Sequence, residues 1–158
     1  MKEPQSLNSV AEFHKTFKHP ILETPQIPSA DRCKLRVSLI AEELKELEEA
    51  IQANDLVEVA DALCDIQYVL SGAILEFGMA NSFKTLFDEV QRSNMSKTCK
   101  TMEEAEATQK HYMDKDGTES YIEKSDGHFL VYRKADNKTL KSINYSPADL
   151  KSILDDIV

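Results

Sequence analysis

Five carboxylates fall at short, regular spacings on two neighbouring stretches of this sequence: Glu42, Glu43 and Glu46, then Glu58 and Asp61 after a gap of eleven residues. Acids three and four residues apart share one side of a helix, so each stretch aims its carboxylates in one direction. If the two stretches are adjacent antiparallel helices, all five charges crowd one small volume. Burying them together is costly unless they are neutralised, and the neutraliser suited to all-oxygen donors is a hard cation, Mg²⁺ or Mn²⁺. The predicted centre is therefore a buried carboxylate cluster around a divalent ion, which would polarise the oxygens of an anionic ligand.

The elements that must position these acids can be read from the periodicity. Leu7, Val10, Phe13 and Phe17 mark an amphipathic helix from Ser6 to Phe17, and the Pro20, Pro25 and Pro28 connector ends that pattern. Ser29 then caps a helix expected from about Ala30 to Ala53, and Asn54 with Asp55 breaks it and caps a second long helix that stops at Gly78. A helix capped by Asn81 or Ser82 carries Phe83, Leu86, Phe87 and Val90 and fades near Ser96, and Thr101 with Glu104 forms a capping box for a helix ending near Met113. Tyr121 to Lys124 and Phe129 to Arg133 read as strands joined at Asp126 and Gly127, Leu140 to Asn144 as a third strand, and Pro147 as the start of a last helix. The expected fold is mainly α, an antiparallel helical bundle, with a catalytic domain over 1–113 and a small α+β appendage over 114–158.

Laid out at 100° per residue, the first long helix gathers Val37, Ile40, Leu44, Leu47 and Ile51 opposite Glu42, and places Glu48 and Glu49 on a solvent arc. Glu42, Glu43 and Glu46 share the remaining arc with Leu35, Leu39 and Ala50, which are buried-type neighbours. The second long helix is apolar nearly all round, interrupted by Glu58, Asp61 and Asp65 and continued upward by Tyr68, Gly72 and Glu76. A solvated face salt-bridged to Lys45 or Arg36 is the plain alternative for the first set, but acids on a nearly all-apolar rod are harder to explain by solvation. A carboxylate-bridged di-iron bundle fails on inventory, because His14, His19, His111 and His128 all lie outside the acidic helices.

Bulk properties narrow the partners. The formal net charge is −9, from 28 acidic against 19 basic residues, so long-range electrostatics repels a nucleic-acid polymer. No run long and apolar enough for a membrane span and no signal-peptide stretch is present, so a cytoplasmic location is expected. Cys33, Cys64 and Cys99 are far apart and odd in number, which fits reduced structural thiols.

Glu42-Glu43-Leu-Lys-Glu46 followed by Glu58-Val-Ala-Asp61, with Arg92-Ser-Asn94-Met-Ser-Lys97 downstream, resembles the EExxE and ExxD motifs of the all-α MazG-like nucleoside triphosphate pyrophosphohydrolases. The similarity is closest to a bacterial branch described as phosphoribosyl-ATP pyrophosphohydrolase-like and runs from Phe13-His14 to Lys97. It implies Mg²⁺-dependent cleavage of a (deoxy)nucleoside triphosphate to monophosphate and pyrophosphate, in a homodimer or dimer of dimers. Glu42, Glu43, Glu46, Glu58 and Asp61 would hold the metal, with Glu43 as the base. Arg92 and Lys97 would meet phosphates, Asn94 would add a neutral hydrogen bond, and Asp65 would contact the sugar or a second metal, or pair with an arginine. Phe13, His14 and Phe17 could line a base pocket, although aromatics at helical spacing equally suit a core. Phosphoribosyl-ATP as the substrate, and a metal-binding helical interaction module without turnover, are the competing readings.

Overall fold

The turn between the two acid-bearing helices is built by Asn54 and Asp55. Asn54 adopts a φ of 53°, the left-handed region that asparagine tolerates, and the Asp55 carboxylate accepts the backbone N–H groups of Val57 at 3.0 Å and Glu58 at 3.2 Å. In the computed structural model, which describes residues 2–157, the elements are α1 (Ser6–Phe17), α2 (Ala30–Gln52), α3 (Leu56–Glu76), α4 (Phe83–Met95), α5 (Met102–Asp116), β1 (Ser120–Ser125), β2 (His128–Arg133) and α6 (Leu150–Asp155). The mainly helical fold with one hairpin is the predicted one.

Contacts divide the chain into two units. The first runs to Lys84 and takes in the last residues from Leu154, and the second is Thr85–Ile153. The division falls between Lys84 and Thr85 rather than near residue 114, because α5 packs on the hairpin and shares its core. Cys99, Ala105, Val131 and Leu140 are buried there, with Tyr112, Ile122 and Phe129 packed against them.

In the first unit α3 is the shared partner, packed by α2 along one side and α1 along another. The connector before α2 is tied to the end of α3: Leu22 N–H donates to Leu75 O at 3.1 Å and Gln26 N–H to Phe77 O at 3.1 Å. The apolar arc expected to be buried on α2 is only partly covered: Ile40 and Leu47 are half-buried and Val37, Leu44 and Ile51 are open. Val37 is 69% exposed and Leu44 60%, and on α3 Leu56 and Val57 are 80% and 75% exposed. Two neighbouring helices cannot enclose a rod that is apolar nearly all round; α2 turns Arg36 and Ala50 inward instead.

In the second unit β1 and β2 pair antiparallel, with Tyr121 opposite Tyr132, across a turn in which Asp126 and Gly127 both have positive φ. Thr101 caps α5 by accepting from Glu104 N–H at 3.2 Å, while the Glu104 carboxylate reaches back to Lys100 N–H at 2.9 Å and also holds the Ser142 hydroxyl. That last contact explains why the predicted third strand is missing. Leu140 N–H donates to Val131 O at 2.8 Å, but Ser142 N–H turns to Lys97 O, so the pairing stops after an isolated bridge between Tyr132 and Thr139.

Gly78 is fixed twice, by a φ of +71° and by the Thr24 carbonyl oxygen, which a Cβ would meet at 1.9 Å. Gly78→Ala should therefore destabilise the folded protein by about 2 kcal/mol or more. Urea unfolding checks it, and a loss below about 0.5 kcal/mol would mean that the connector does not lie against α3 in solution.

Candidate active site on the helical hairpin

The antiparallel register of α2 and α3 determines which side chains meet. At one end Glu76, near the C-terminus of α3 and only 1% exposed, receives hydrogen bonds from Arg32 Nε at 2.9 Å and from terminal guanidinium nitrogens of both Arg32 and Arg36. One turn in from there, Gly72 faces Arg36 and His14; a Cβ on it would lie 2.6 Å from Arg36 Nη1 and 3.2 Å from His14 Nε2. The glycine makes room for the guanidinium to cross α3.

Further along, the acids come level with one another. Burial, followed by the charges of Asp65, Glu46, Glu42 and Asp61, holds the Glu43 carboxyl above the usual carboxylate range. Glu43 and Asp65 are half-buried, whereas Glu42, Glu46, Glu58 and Asp61 are exposed. Near the turn, Glu46 and Glu58 line a shallow cavity of about 270 Å³ together with Glu49, which the angular reading had assigned to solvent and which also meets Lys45 at 3.2 Å.

The carboxylates are thus gathered on one hairpin as expected, but the cluster is not buried within the chain. Among the described residues no three Asp, Glu, His or Cys side chains are set to hold a metal ion as they stand. Exposed glutamates reach their orientations by side-chain rotation, and the donor set, oxygen-only with Glu43 destabilised as an anion by four neighbouring acids, has the chemistry of a hard divalent cation site.

On α1, His14 is 2% exposed. Its Nε2 lies 3.3 Å from Arg36 Nη2, and because a guanidinium can only donate, Nε2 is the acceptor and the ring proton sits on Nδ1, which donates to Pro20 O at 2.9 Å. Burial pushes the imidazole below its ordinary range; the Pro20 bond opposes this and the Arg36 charge reinforces it. Phe13 stacks on His19, with 5.7 Å between centroids and 13° between planes, and meets Tyr68 edge-on at 5.7 Å. These rings and the two arginines line a cavity of about 230 Å³ that the helices α1, α2 and α3 enclose. Phe17 is largely exposed beside Phe13.

The remaining predicted residues belong to the second unit. Arg92 forms a two-pronged pair with Glu89, at 2.7 and 2.8 Å, and donates to the carbonyls of Pro147 at 2.9 Å and Ser146 at 3.5 Å. The pairing holds the Glu89 carboxyl down at about 2. Lys97 Nζ donates to Asn94 Oδ1 at 2.8 Å. Arg92 thus ties α4 to the segment around Ser146 and Pro147, and the Lys97–Asn94 bond closes the C-terminal end of α4.

Arg32, Arg36 and Glu76 carry the most buried polar contacts of the first unit, and the sequence reading did not single them out as a site. The available signal was two arginines four residues apart at the start of α2, level with an acid at the far end of α3 that stands apart from Glu58, Asp61 and Asp65.

A mainly α protein whose two central helices carry facing EExxE and ExxD acids, closed at one end by an aromatic cavity, belongs to the all-α class of acid-bearing helical hairpins. Within it, residues 10–94 match the model of the phosphoribosyl-ATP pyrophosphohydrolase family. The chain belongs to that family, which is part of the MazG-like all-α pyrophosphohydrolase superfamily. It is also 36% identical over 93 residues to the uncharacterized protein L479 of Acanthamoeba polyphaga mimivirus, a match covering 56% of this chain and 37% of that protein. The chain thus spans little more than a third of that curated relative's length.

Two outcomes follow from the charge arrangement. Because the raised Glu43 pKa favours the protonated folded state, its ionisation costs stability as pH rises, so metal-free Glu43→Gln should melt about 1–2 °C above the parent at pH 7, with the gain vanishing near pH 4. Glu76 behaves oppositely: burial pushes its pKa up, but the arginine hydrogen bonds outweigh this and hold it low. Its contribution is present above the ordinary carboxylate range and lost as pH falls through the depressed value. Glu76→Gln should cost about 3 kcal/mol at pH 7 and progressively less in acid, read by urea titrations at several pH values.

Proposed function

We propose that this chain is a Mg²⁺-dependent nucleotide pyrophosphohydrolase that converts a nucleoside or deoxynucleoside triphosphate to its monophosphate and pyrophosphate. The observation that carries the reading is the position of Glu43, half-buried and surrounded by Asp65, Glu46, Glu42 and Asp61 across the α2–α3 interface. Family membership supports the reaction class.

Glu42, Glu43, Glu46, Glu58 and Asp61 are the oxygen donors that would hold the cation. When bound, Mg²⁺ would offset the negative charge of both protein and phosphates and acidify the attacking water. Glu43 takes the proton of that water: a carboxylate with a raised pKa is a stronger base than an ordinary one, and its partial burial fixes its direction. The water oxygen bonds to the α-phosphorus, the bond to the β-phosphate bridging oxygen breaks, and pyrophosphate leaves. Asp65, level with Glu43, would meet the sugar or a second metal, and His14 in the cavity wall would serve the base end.

Phosphoribosyl-ATP fits the same machinery and the family match equally well. It is itself a triphosphate, so the two readings differ in the base end of the ligand alone.

A homodimer or dimer of dimers is also part of this proposal. Val37, Leu44 and Ile51 on α2 with Leu56, Val57, Leu63 and Leu70 on α3 leave apolar faces exposed along both helices, which a second copy of the same faces would cover.

The protein should release pyrophosphate from at least one member of a panel of ribo- and deoxynucleoside triphosphates and phosphoribosyl-ATP, only with Mg²⁺ or Mn²⁺ present, and Glu43→Gln should lower kcat by about 10²–10⁴. No product from any substrate would overturn the reading. Light scattering after size exclusion should give a dimer or tetramer mass, and Leu44→Glu with Val57→Glu should reduce it to the monomer.

A further inference from the structure

A single chain of hydrogen bonds joins every segment of the first unit. The Glu76 carboxylate on α3 accepts from Arg36 Nη2 on α2, the same nitrogen donates to His14 Nε2 on α1 at 3.3 Å, and His14 Nδ1 donates to Pro20 O in the connector at 2.9 Å. Its direction is fixed at both ends, because a carboxylate and a carbonyl oxygen can only accept and a guanidinium can only donate. The imidazole is the member whose donor and acceptor roles change between pH 5 and 8. Its link to α2 rests on one lone pair.

A proton on Nε2 removes that lone pair, and the surroundings offer no replacement. His14 is 2% exposed, so water does not solvate the cation. From α2, Arg36 faces the ring directly, with Arg32 beside it on the same carboxylate. From α3 comes Glu76, whose two oxygens already receive three arginine bonds. From the residue just past the helix, the His19 ring stands 5.4 Å away. Burial, and after it the charges of Arg36 and His19, oppose protonation and outweigh the Pro20 bond and the Glu76 charge, so the imidazole is held below its ordinary range. Toward α3 the Nε2 atom meets Gly72, which has no side chain to accept a bond, and the rest of the cavity wall is aromatic and aliphatic.

We propose that His14 is an acid-released latch: a proton on Nε2 sets donor against donor at Arg36, detaches α1 from the α2–α3 hairpin and opens the aromatic cavity that α1 helps to enclose. The other attachments of α1 are few. Val10 and His14 are its buried residues, whereas Phe13 is 37% and Phe17 61% exposed. The connector has its own ties to the end of α3 through Leu22 and Gln26, so it can stay in place while the helix leaves, and Lys18, at a φ of 58°, is where the two part. Released α1 carries a histidine of ordinary proton affinity and docked α1 one of reduced affinity. Docking is therefore strongest above about pH 6.5, weakens as pH falls through that value, and stops weakening below the docked pKa. The ratio of released to docked helix rises by at most about tenfold per pH unit, or about thirtyfold at pH 5. The inference concerns a motion of α1 and holds whether or not the nucleotide reading does.

Amide hydrogen exchange of the full-length protein between pH 7 and pH 5, corrected for the intrinsic rate, reads the latch. Protection of the α1 amides should fall by about fivefold or more, and by no more than about thirtyfold, while that of α5 changes by less than about twofold. His14→Gln offers Arg36 an amide oxygen that does not titrate, so its α1 protection should vary by less than about twofold over the same range. Should that variant fail to fold, ring nitrogen NMR of the parent decides. Nε2 should be unprotonated at pH 7, and its protonation should track the loss of α1 protection. Protection of α1 that is flat down to pH 5, or His14 protonated while α1 stays protected, overturns the proposal. An acid response undiminished in His14→Gln overturns it as well, by assigning the response to another group.

Discussion

The contact on which the hairpin depends is the pairing of Glu76 with Arg32 and Arg36. It joins the beginning of α2 to the end of α3 through a carboxylate that solvent hardly reaches. A buried ion pair of this kind adds little net stability over apolar packing, yet breaking it is expensive, so its effect is to penalise alternative alignments. Two apolar helices can slide by a turn at small cost. Here a slide would strand Glu76 away from at least one arginine and drive the Arg36 guanidinium into a side chain where Gly72 now leaves space. The register that survives brings Asp65 level with Glu43 and Glu58 level with Glu46. The acids owe their mutual approach to a contact more than a helical turn away from them.

That arrangement makes the hairpin electrostatically polar along its length. One end has buried cationic donors, aromatic rings and a neutral histidine; the other has acids and no nearby lysine or arginine that is drawn to Glu43. On the proposed reading, a ligand complementary to both ends would have a flat head and a polyanionic tail accompanied by cations. The net charge of −9 works against a bare polyanion. On the proposed reading, metal neutralisation would serve ligand binding as well as the chemistry.

The helices were legible because their signals are local: Asp55 caps α3 from its own side chain, and Gly78 ends the turn that follows it. Burial was less legible. Angular layout correctly placed Glu42, Glu43 and Glu46 on one arc, but it could not say which apolar arc the chain itself covers, and Val37 and Leu44 proved open while Arg36 went inside. Periodicity ranks faces by composition, whereas burial depends on what is available to pack against them. The Arg32–Glu76–Arg36 contact joins residues 40 and 44 positions apart, so no spacing rule could announce it. The third strand failed for a similar reason, since the Ser142 hydroxyl is taken by Glu104 from another element. Arg92 illustrates the converse: its motif position suggests phosphate recognition, yet a local glutamate and two carbonyls occupy its donors.

Two costs in the first unit point the same way. Crowded carboxylates raise the energy of the metal-free hairpin, and uncovered leucines and valines on α2 and α3 leave hydrophobic stabilisation unrealised. Neither is relieved by rearranging a single chain, because the register is fixed by Glu76 and the apolar faces have no further helix to meet in this unit. Each would be relieved by adding something from outside: a cation to the acids and a second copy to the apolar faces. Anything that binds the folded state alone stabilises it in proportion to the logarithm of its concentration over its dissociation constant. On the proposed reading the folded hairpin would be coupled energetically to its ligands, and the features that look like defects in the isolated chain would be the positions at which that coupling acts.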